Sequence, residues 1–231
     1  MFCSKCGVAN TDEATVCTSC GQQLKADASG PIFQSDKAKE QVKVAVSDAW
    51  DTFQSLWLDP VGRLLNAYEA LGPGRSLGVG VAFGVVFAIC FAISITQIPY
   101  IGLITQNYGL SGFIKLVIIG IVPFLGLTAA CHIGGKMGDG KASIPSDAFI
   151  SGVALLPFGL ANLVSSLIGY GNLEISVTLF IIAFCLLILI LFAGLTRISK
   201  ATEKVASIAV PIMLIASVWI SKVLYVALFS E

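Results

Sequence analysis

Charge is scarce in this chain. Only 12% of its 231 residues are Asp, Glu, Lys or Arg, while 56% are hydrophobic. A soluble domain carries about 25% charged residues, so a fold surrounded by water on every side is disfavoured. The 14 basic and 14 acidic side chains balance. There is thus no basic excess of the kind that draws nucleic acid, and no nucleic-acid partner is expected. Histidine occurs once, as His132. The HExxH, GxSxG and GxxxxGK[ST] patterns of zinc proteases, hydrolases and phosphate loops are missing. Gly134 to Lys141 has a superficial likeness to a phosphate loop, but it joins two apolar stretches with no strand before it. It reads as a flexible basic turn, and no enzymatic activity is expected.

What the chain does have is cysteine at its start. Cys3-Ser-Lys-Cys6-Gly7 and Cys17-Thr-Ser-Cys20-Gly21 are two Cys-x-x-Cys-Gly knuckles, with ten residues between Cys6 and Cys17. A Cys-x-x-Cys turn aims two sulfurs at one point, and two such turns supply the four soft thiolates of tetrahedral zinc. Gly7 and Gly21 let the backbone leave each knuckle through a left-handed conformation. One structural zinc held by Cys3, Cys6, Cys17 and Cys20 is expected, in preference to disulfides or a redox pair. Such a site is closed, with no open position for substrate.

Beyond it lie five long apolar stretches, roughly Ser76–Ile98, Phe113–Ile133, Ala148–Gly169, Ile175–Leu195 and Val205–Phe229. Each reaches the roughly 20 residues a helix needs to cross the hydrocarbon core. The alternative, core helices of a soluble protein, would make most of the chain core. Lys and Arg alternate between the connections. Lys5, Lys25, Lys37, Lys39, Lys43, Arg63 and Arg75 precede the first stretch, and Pro99–Gly112 has none. Lys136 and Lys141 follow the second, the turn near Gly171 has none, and Arg197, Lys200 and Lys204 follow the fourth. The positive-inside rule then places the N-terminus in the cytoplasm and the C-terminus outside, in a multi-pass protein of the cell membrane. A reducing cytoplasm also keeps the N-terminal thiols available to metal. Cys90, Cys131 and Cys185 read as small apolar fillers within the stretches.

The expected fold is therefore an all-α polytopic membrane protein with a small N-terminal zinc ribbon. Residues 1–25 form the ribbon and 26–35, small and polar with Gly30-Pro31, a linker. Residues 36–74 form juxtamembrane amphipathic helices, and 75–231 the five-helix bundle. In the amphipathic segment Val42, Val46, Ala49, Trp50, Phe53, Leu56 and Trp57 recur at the spacing of one helical face. Asp59-Pro60 resembles an N-cap and first-turn proline opening a second helix that carries Val61, Leu64, Leu65, Tyr68 and Leu71 and ends at Gly72-Pro73-Gly74. Trp50, Trp57 and Tyr68 suit the membrane–water boundary. Lying on that boundary and packing against the ends of the spans are equally open.

Within the first span, Ser76, Gly80, Gly84, Ala88, Ala92 and Thr96 recur every four residues. In the second, Gly126, Ala130 and Gly134 do the same. Small rows of this kind let helices approach closely, within one bundle first, with a homo-oligomer as the alternative. Pro123, Pro157 and Pro211 each fall inside a span and remove a backbone hydrogen bond. No Asp or Glu is expected inside any span, with Glu174 and Glu203 assigned to loops. Lys115 and Lys222, near the outer ends, read as snorkelling side chains with lipid phosphate as the alternative. His132 reads as a hydrogen-bonded residue near the cytoplasmic end. Asn162, Ser165 and Ser166 form a polar stripe suited to bonds between helices.

Met1 to Leu24 resembles the short zinc-ribbon modules that begin many prokaryotic membrane proteins. From about Trp50 onward the chain resembles the Yip (Ypt-interacting protein) family. The likeness is carried by the aromatic segment ending in Asp59-Pro60, the five spans with short connections, the Gly140-Lys141-Ala142-Ser143 loop, and the central Pro157 of the span it leads into. That resemblance implies a five-span domain associated with membrane traffic. The family's Asp-Leu-Tyr-Gly-Pro motif is absent, so small-GTPase binding does not follow. The combination looks bacterial or archaeal. Two functions fit the sequence. One is a membrane adaptor or scaffold whose ribbon and surface helices recruit a cytoplasmic protein. The other is a conduit or lipid-handling protein with the ribbon as a regulatory element.

Overall fold

The computed structural model describes residues 8, 19–20, 31–97, 109–137, 140–168 and 172–229. The chain divides into two compact units, Met1–Lys43 and Val44–Glu231. In the first, Ser19 and Cys20 form a turn, and helix α1 (Pro31–Leu56) begins inside the segment expected as a linker.

The second unit contains helices, turns and connections, with no strand, among its described residues. It contains the rest of α1, then α2 (Leu64–Thr96), α3 (Gly109–Met137), α4 (Ile144–Ile168), α5 (Leu173–Ala193) and α6 (Glu203–Phe229), with one π-type turn at Gly194–Ile198 after α5. Among the described residues five helices are long and apolar enough to cross a membrane, in the five expected places. Each starts before its apolar stretch, by two to four residues except for α2, which starts twelve before, because backbone hydrogen bonding continues into the polar flanks while hydropathy does not. The acidic residues consequently fall differently from expectation. Glu69 lies in α2, Asp147 and Glu174 in the first turns of α4 and α5, and Glu203 opens α6. Acidic side chains suit a helix start, where unpaired N–H groups and the macrodipole favour negative charge.

The expected stop at Gly72-Pro73-Gly74 takes the form of a break within α2. Gly72 has φ 69° and ψ 171°, a conformation outside the helical region that a side chain would resist. Asp59 accepts a hydrogen bond from the Gly62 N–H at 2.7 Å, closing a tight turn. Asp59 thus caps that turn, and the helix proper starts at Leu64.

α4 occupies the centre. It packs most extensively on α2, then on α5 and α3, while α6 lies mainly against α3. The small row of α2 explains the first contact. Ser76, Gly80, Gly84, Ala88 and Ala92 are all buried. A Cβ on Gly80 would fall on the Ala148 carbonyl, and one on Gly152 would fall on the Gly80 carbonyl. Two backbones therefore touch with no side chain between them. Further along, Gly84 faces the Phe124 ring and Gly120 faces Ala88. The α3 row turns elsewhere, with Gly134 facing Met213 and Ala209 of α6. Phe149, Ile150, Leu127, Ile190 and Leu191 fill the core.

Within the second unit, α1 uses a different face from the expected one. Ala49 and Leu56 are buried beside Asp48 and Thr52, whereas Val46, Trp50 and Trp57 remain exposed. Arg75 of α2 sets this rotation: its guanidinium binds the Asp48 carboxylate through both Nη2 and Nε, the latter at 2.6 Å. The Arg75 hydrogen bonds hold the Asp48 carboxyl below its ordinary pKa and outweigh burial, which would raise it. Thr52 satisfies its hydroxyl on the Asp48 carbonyl at 2.6 Å. One edge of the helix packs on the spans while its tryptophans stay outside. Tyr68, by contrast, stacks near Phe149 with ring centroids 5.7 Å apart.

Candidate functional site

Antiparallel alternation brings the starts of α2, α4 and α6 and the ends of α3 and α5 to one end of the bundle. Arg63, Arg75, Lys136, Lys141, Arg197, Lys200 and Lys204 are all at this end. Lys115 and Lys222 belong to the other, where Lys115 Nζ donates to the Leu228 carbonyl at 2.9 Å and Lys222 is exposed.

A polar knot ties the basic end together, and it begins with a cap. Ser143 N–H donates to Ser146 Oγ at 3.1 Å, and Ser146 N–H donates back to Ser143 Oγ at 3.4 Å. This reciprocal pair works as a capping box, with serine where glutamate is usual. It starts α4 at Ile144 and so carries Asp147 into the first turn. Asp147 is fully buried. His132 Nδ1, on α3, lies 2.8 Å from its Oδ2. Ser199, beyond the π-type turn, donates to its Oδ1 at 3.3 Å, with Ser146 Oγ at 3.5 Å. The carboxylate thus receives partners from three different parts of the chain.

Backbone bonds brace the same point. Ser199 N–H donates to Gly194 O at 3.1 Å, which defines the wide turn, and Ala201 N–H returns to Leu195 O at 2.9 Å. Lys200 between them has φ 59°. Lys141 N–H donates to Ser199 O at 2.7 Å and Gly140 N–H to Gly135 O at 2.9 Å. The Gly140–Ser143 loop is therefore clamped to the α5–α6 connection. Of the turn expected over Gly134–Lys141, residues 134–137 end helix α3, 138–139 lie outside the described residues, and Gly140 and Lys141 are held by these bonds.

Chemically, the knot is a buried, fully partnered carboxylate with an imidazole that keeps 29% of its side chain exposed. The serines bond to Asp147 and to each other rather than to His132. No hydroxyl among these is therefore placed for the imidazole to deprotonate, as a nucleophile would require. The arrangement holds three chain segments in register. His132 is hydrogen-bonded, as expected. The central place of Asp147 was missed, and Ser143-x-x-Ser146 was the sequence signal for it.

The expected stripe of Asn162, Ser165 and Ser166 does not link helices. Asn162 Nδ2 donates to Phe158 O at 2.9 Å and Ser166 Oγ to Leu163 O at 2.8 Å, both on their own helix. Carbonyls one turn back lie closer than any neighbour and capture these groups. Ser165 Oγ is buried with no partner. Of the other cysteines, Cys90 and Cys131 are buried and Cys185 faces outward.

Of the expected metal ligands, Cys20 lies in the Ser19-Cys20 turn and is partly exposed, while Cys3, Cys6 and Cys17 lie outside the described residues. Among the described residues no three His, Cys, Asp or Glu side chains gather as a metal site. As a donor set, four cysteines in two Cys-x-x-Cys pairs suit zinc, which accepts thiolates at about 2.3 Å in a tetrahedron.

The zinc-ribbon domain family matches residues 2–24. All four cysteines and both knuckle glycines fall inside that match, so the chain carries a zinc-ribbon domain. No curated protein and no solved structure matches the chain.

Proposed function

We propose that the protein is an integral membrane adaptor, in which five spanning helices anchor a zinc ribbon that recruits a cytoplasmic protein. The carrying observation is modular. The ribbon match falls wholly within the unit Met1–Lys43, and the spanning bundle forms the unit Val44–Glu231. A closed tetrathiolate site has no position for a substrate, so its use is the surface it folds. The bundle supports the same reading. Ion-coupled carriers hold ionisable residues near mid-membrane, whereas Asp147 is tied at the basic end among three chain segments. The seven basic residues gathered there favour a cytoplasmic placement of that end. This gives an inside N-terminus and an outside C-terminus, and a prokaryotic cell membrane as the setting. The resemblance of Trp50 onward to the Yip family agrees with a scaffold in membrane organisation or traffic. Cys3, Cys6, Cys17 and Cys20 would hold the zinc, which when bound supplies the ribbon's folding energy.

Two measurements test the reading. Deleting residues 1–30 should leave the bundle folded and abolish capture of the cytoplasmic partner by the full-length protein. Robust solute flux or lipid scrambling by the deleted form in liposomes, with an unchanged set of partners, would favour the conduit instead. In a background lacking accessible native thiols, a cysteine at Asn107 should react with an impermeant reagent from outside intact cells, and one at Thr202 only after permeabilisation. The reverse pattern overturns the orientation.

A further inference from the structure

Between α4 and α5 runs a cavity of about 320 Å³, within the range of small-molecule sites. Every residue lining it is apolar. Its walls extend from Val153 to Val164 along α4 and from Leu179 to Ile190 along α5. Eleven helical steps at about 1.5 Å give a length of about 16 Å, close to half of the roughly 30 Å hydrocarbon core. The cavity is thus about as long as one leaflet is thick and lies across the middle of the span, from about 8 to about 24 Å beyond Ala148 at about 1.5 Å per residue. Val164 and Ile182, both on its wall, are 43% and 54% exposed, so it opens sideways to the surroundings of the bundle. A void of this kind facing lipid loses dispersion contacts on every lining atom unless a chain enters it.

Trp57 and Pro60 line the cavity where α1 turns into α2, and that turn carries positive charge beside it. Beside Pro60, the Val61 carbonyl accepts a hydrogen bond from Arg197 Nη1 at 3.1 Å. Arg197 is exposed, and a guanidinium with five donors keeps several for another acceptor. Arg63 belongs to the same turn and is also exposed. Asp59, in the same turn, is also exposed and accepts the Gly62 N–H.

We propose that this cavity holds one acyl chain of an anionic glycerophospholipid, whose phosphate sits on Arg197 and Arg63. The inference is independent of the adaptor reading, since it concerns the bundle alone. An apolar trough about 16 Å long matches a stretch of a single chain, and the cations beside its α1–α2 end match the headgroup. A second copy of the protein would meet the trough but leave the arginines without a partner.

The test uses the full chain in phosphatidylcholine liposomes with a rising fraction of phosphatidylglycerol brominated along its acyl chains. Trp50→Phe with Trp219→Phe leaves Trp57 on the cavity wall as the reporter. Trp50→Phe with Trp57→Phe leaves Trp219, 68% exposed on α6, as the reporter of bulk lipid. Trp57 should be quenched at lower phosphatidylglycerol fractions than Trp219, and brominated phosphatidylcholine should remove the difference. Arg197→Gln, at an exposed position, should raise the fraction giving half-quenching by about fivefold, the worth of one basic residue beside an anionic surface. Ala161→Phe, which fills the cavity, should bring Trp57 to the Trp219 curve. Equal quenching of the two tryptophans overturns the proposal, as does equal quenching by both lipids. Trp57 emission that follows the protein-to-lipid ratio instead would assign the cavity to a second copy, and overturn it too.

Discussion

Adding one methyl group at three glycines of α2 separates backbone contact from side-chain contact. At Gly80 the new Cβ would lie 2.6 Å from Phe149 N and on the Ala148 carbonyl. These are main-chain atoms of the central helix, and no rotamer change relieves them. At Gly84 the nearest atoms belong to the Phe124 ring, at 2.7 Å, and a ring can shift. At Gly74 nothing lies within 4 Å. Exchanging Gly for Ala inside a helix gains about 1 kcal/mol from backbone entropy, and overpacking costs about 1–3 kcal/mol or more. Gly74→Ala should therefore be neutral to mildly stabilising. Gly84→Ala should lose between zero and about 2 kcal/mol net. Gly80→Ala should lose about 2 kcal/mol or more, near 4–8 °C in Tm for a chain of this size. Thermal unfolding in detergent, followed by circular dichroism, reads all three. The reasoning fails if Gly80→Ala is as mild as Gly74→Ala, or if Gly84→Ala is the worst of the set.

Asp147→Ala removes the acceptor shared by His132, Ser146 and Ser199. It should cost about 3–5 kcal/mol, the range for breaking a buried pair, whereas Asp147→Asn, keeping one oxygen, should cost less; denaturant titration compares them. Asp48 has its carboxyl pKa lowered by Arg75. Its contribution is present above the unfolded value of about 3.9 and lost as pH falls through the lower folded value. Wild type should thus shed more stability than Asp48→Asn between pH 4 and more acid conditions, as melting curves across that interval would register. Elemental analysis should find one zinc per chain, lost when Cys3, Cys6, Cys17 and Cys20 are all changed to Ala, with the helical signal of the bundle intact; zinc retained after all four changes would refute the ligand assignment.

Local patterns were legible from sequence and meetings between distant segments were not. The cysteine spacing announced the ribbon because knuckle, glycine and partner all lie within a few residues. The four-residue recurrence from Ser76 to Ala92 announced a buried face because a helix repeats its environment nearly every turn. The face of α1 was misjudged because Asp48 pairs with Arg75, 27 positions away, and that pairing turns Trp50 outward. Asp147 was placed in a loop because hydropathy begins at Ala148, while the Ser143 cap begins the helix earlier. Its partners His132 and Ser199 lie 15 and 52 positions away, on segments that only the folded bundle brings together. Asn162 and Ser166 were assigned outward bonds because a list of polar residues does not reveal that their own helix offers the nearer acceptor.

The bare contact between α2 and α4 also has a bearing on the order of synthesis. Gly80 emerges 72 residues before Gly152, the residue whose backbone it meets. At about 5–20 residues per second, that interval is about 4–14 s. Throughout it the first helix carries an open groove of small residues with the third span not yet available, and the second helix is complete only once Met137 has been added. α3 can occupy only the Gly84–Ala88 portion, through Phe124 and Gly120. The Gly80 portion waits for the third span, and until then lipid or the insertion machinery must line it.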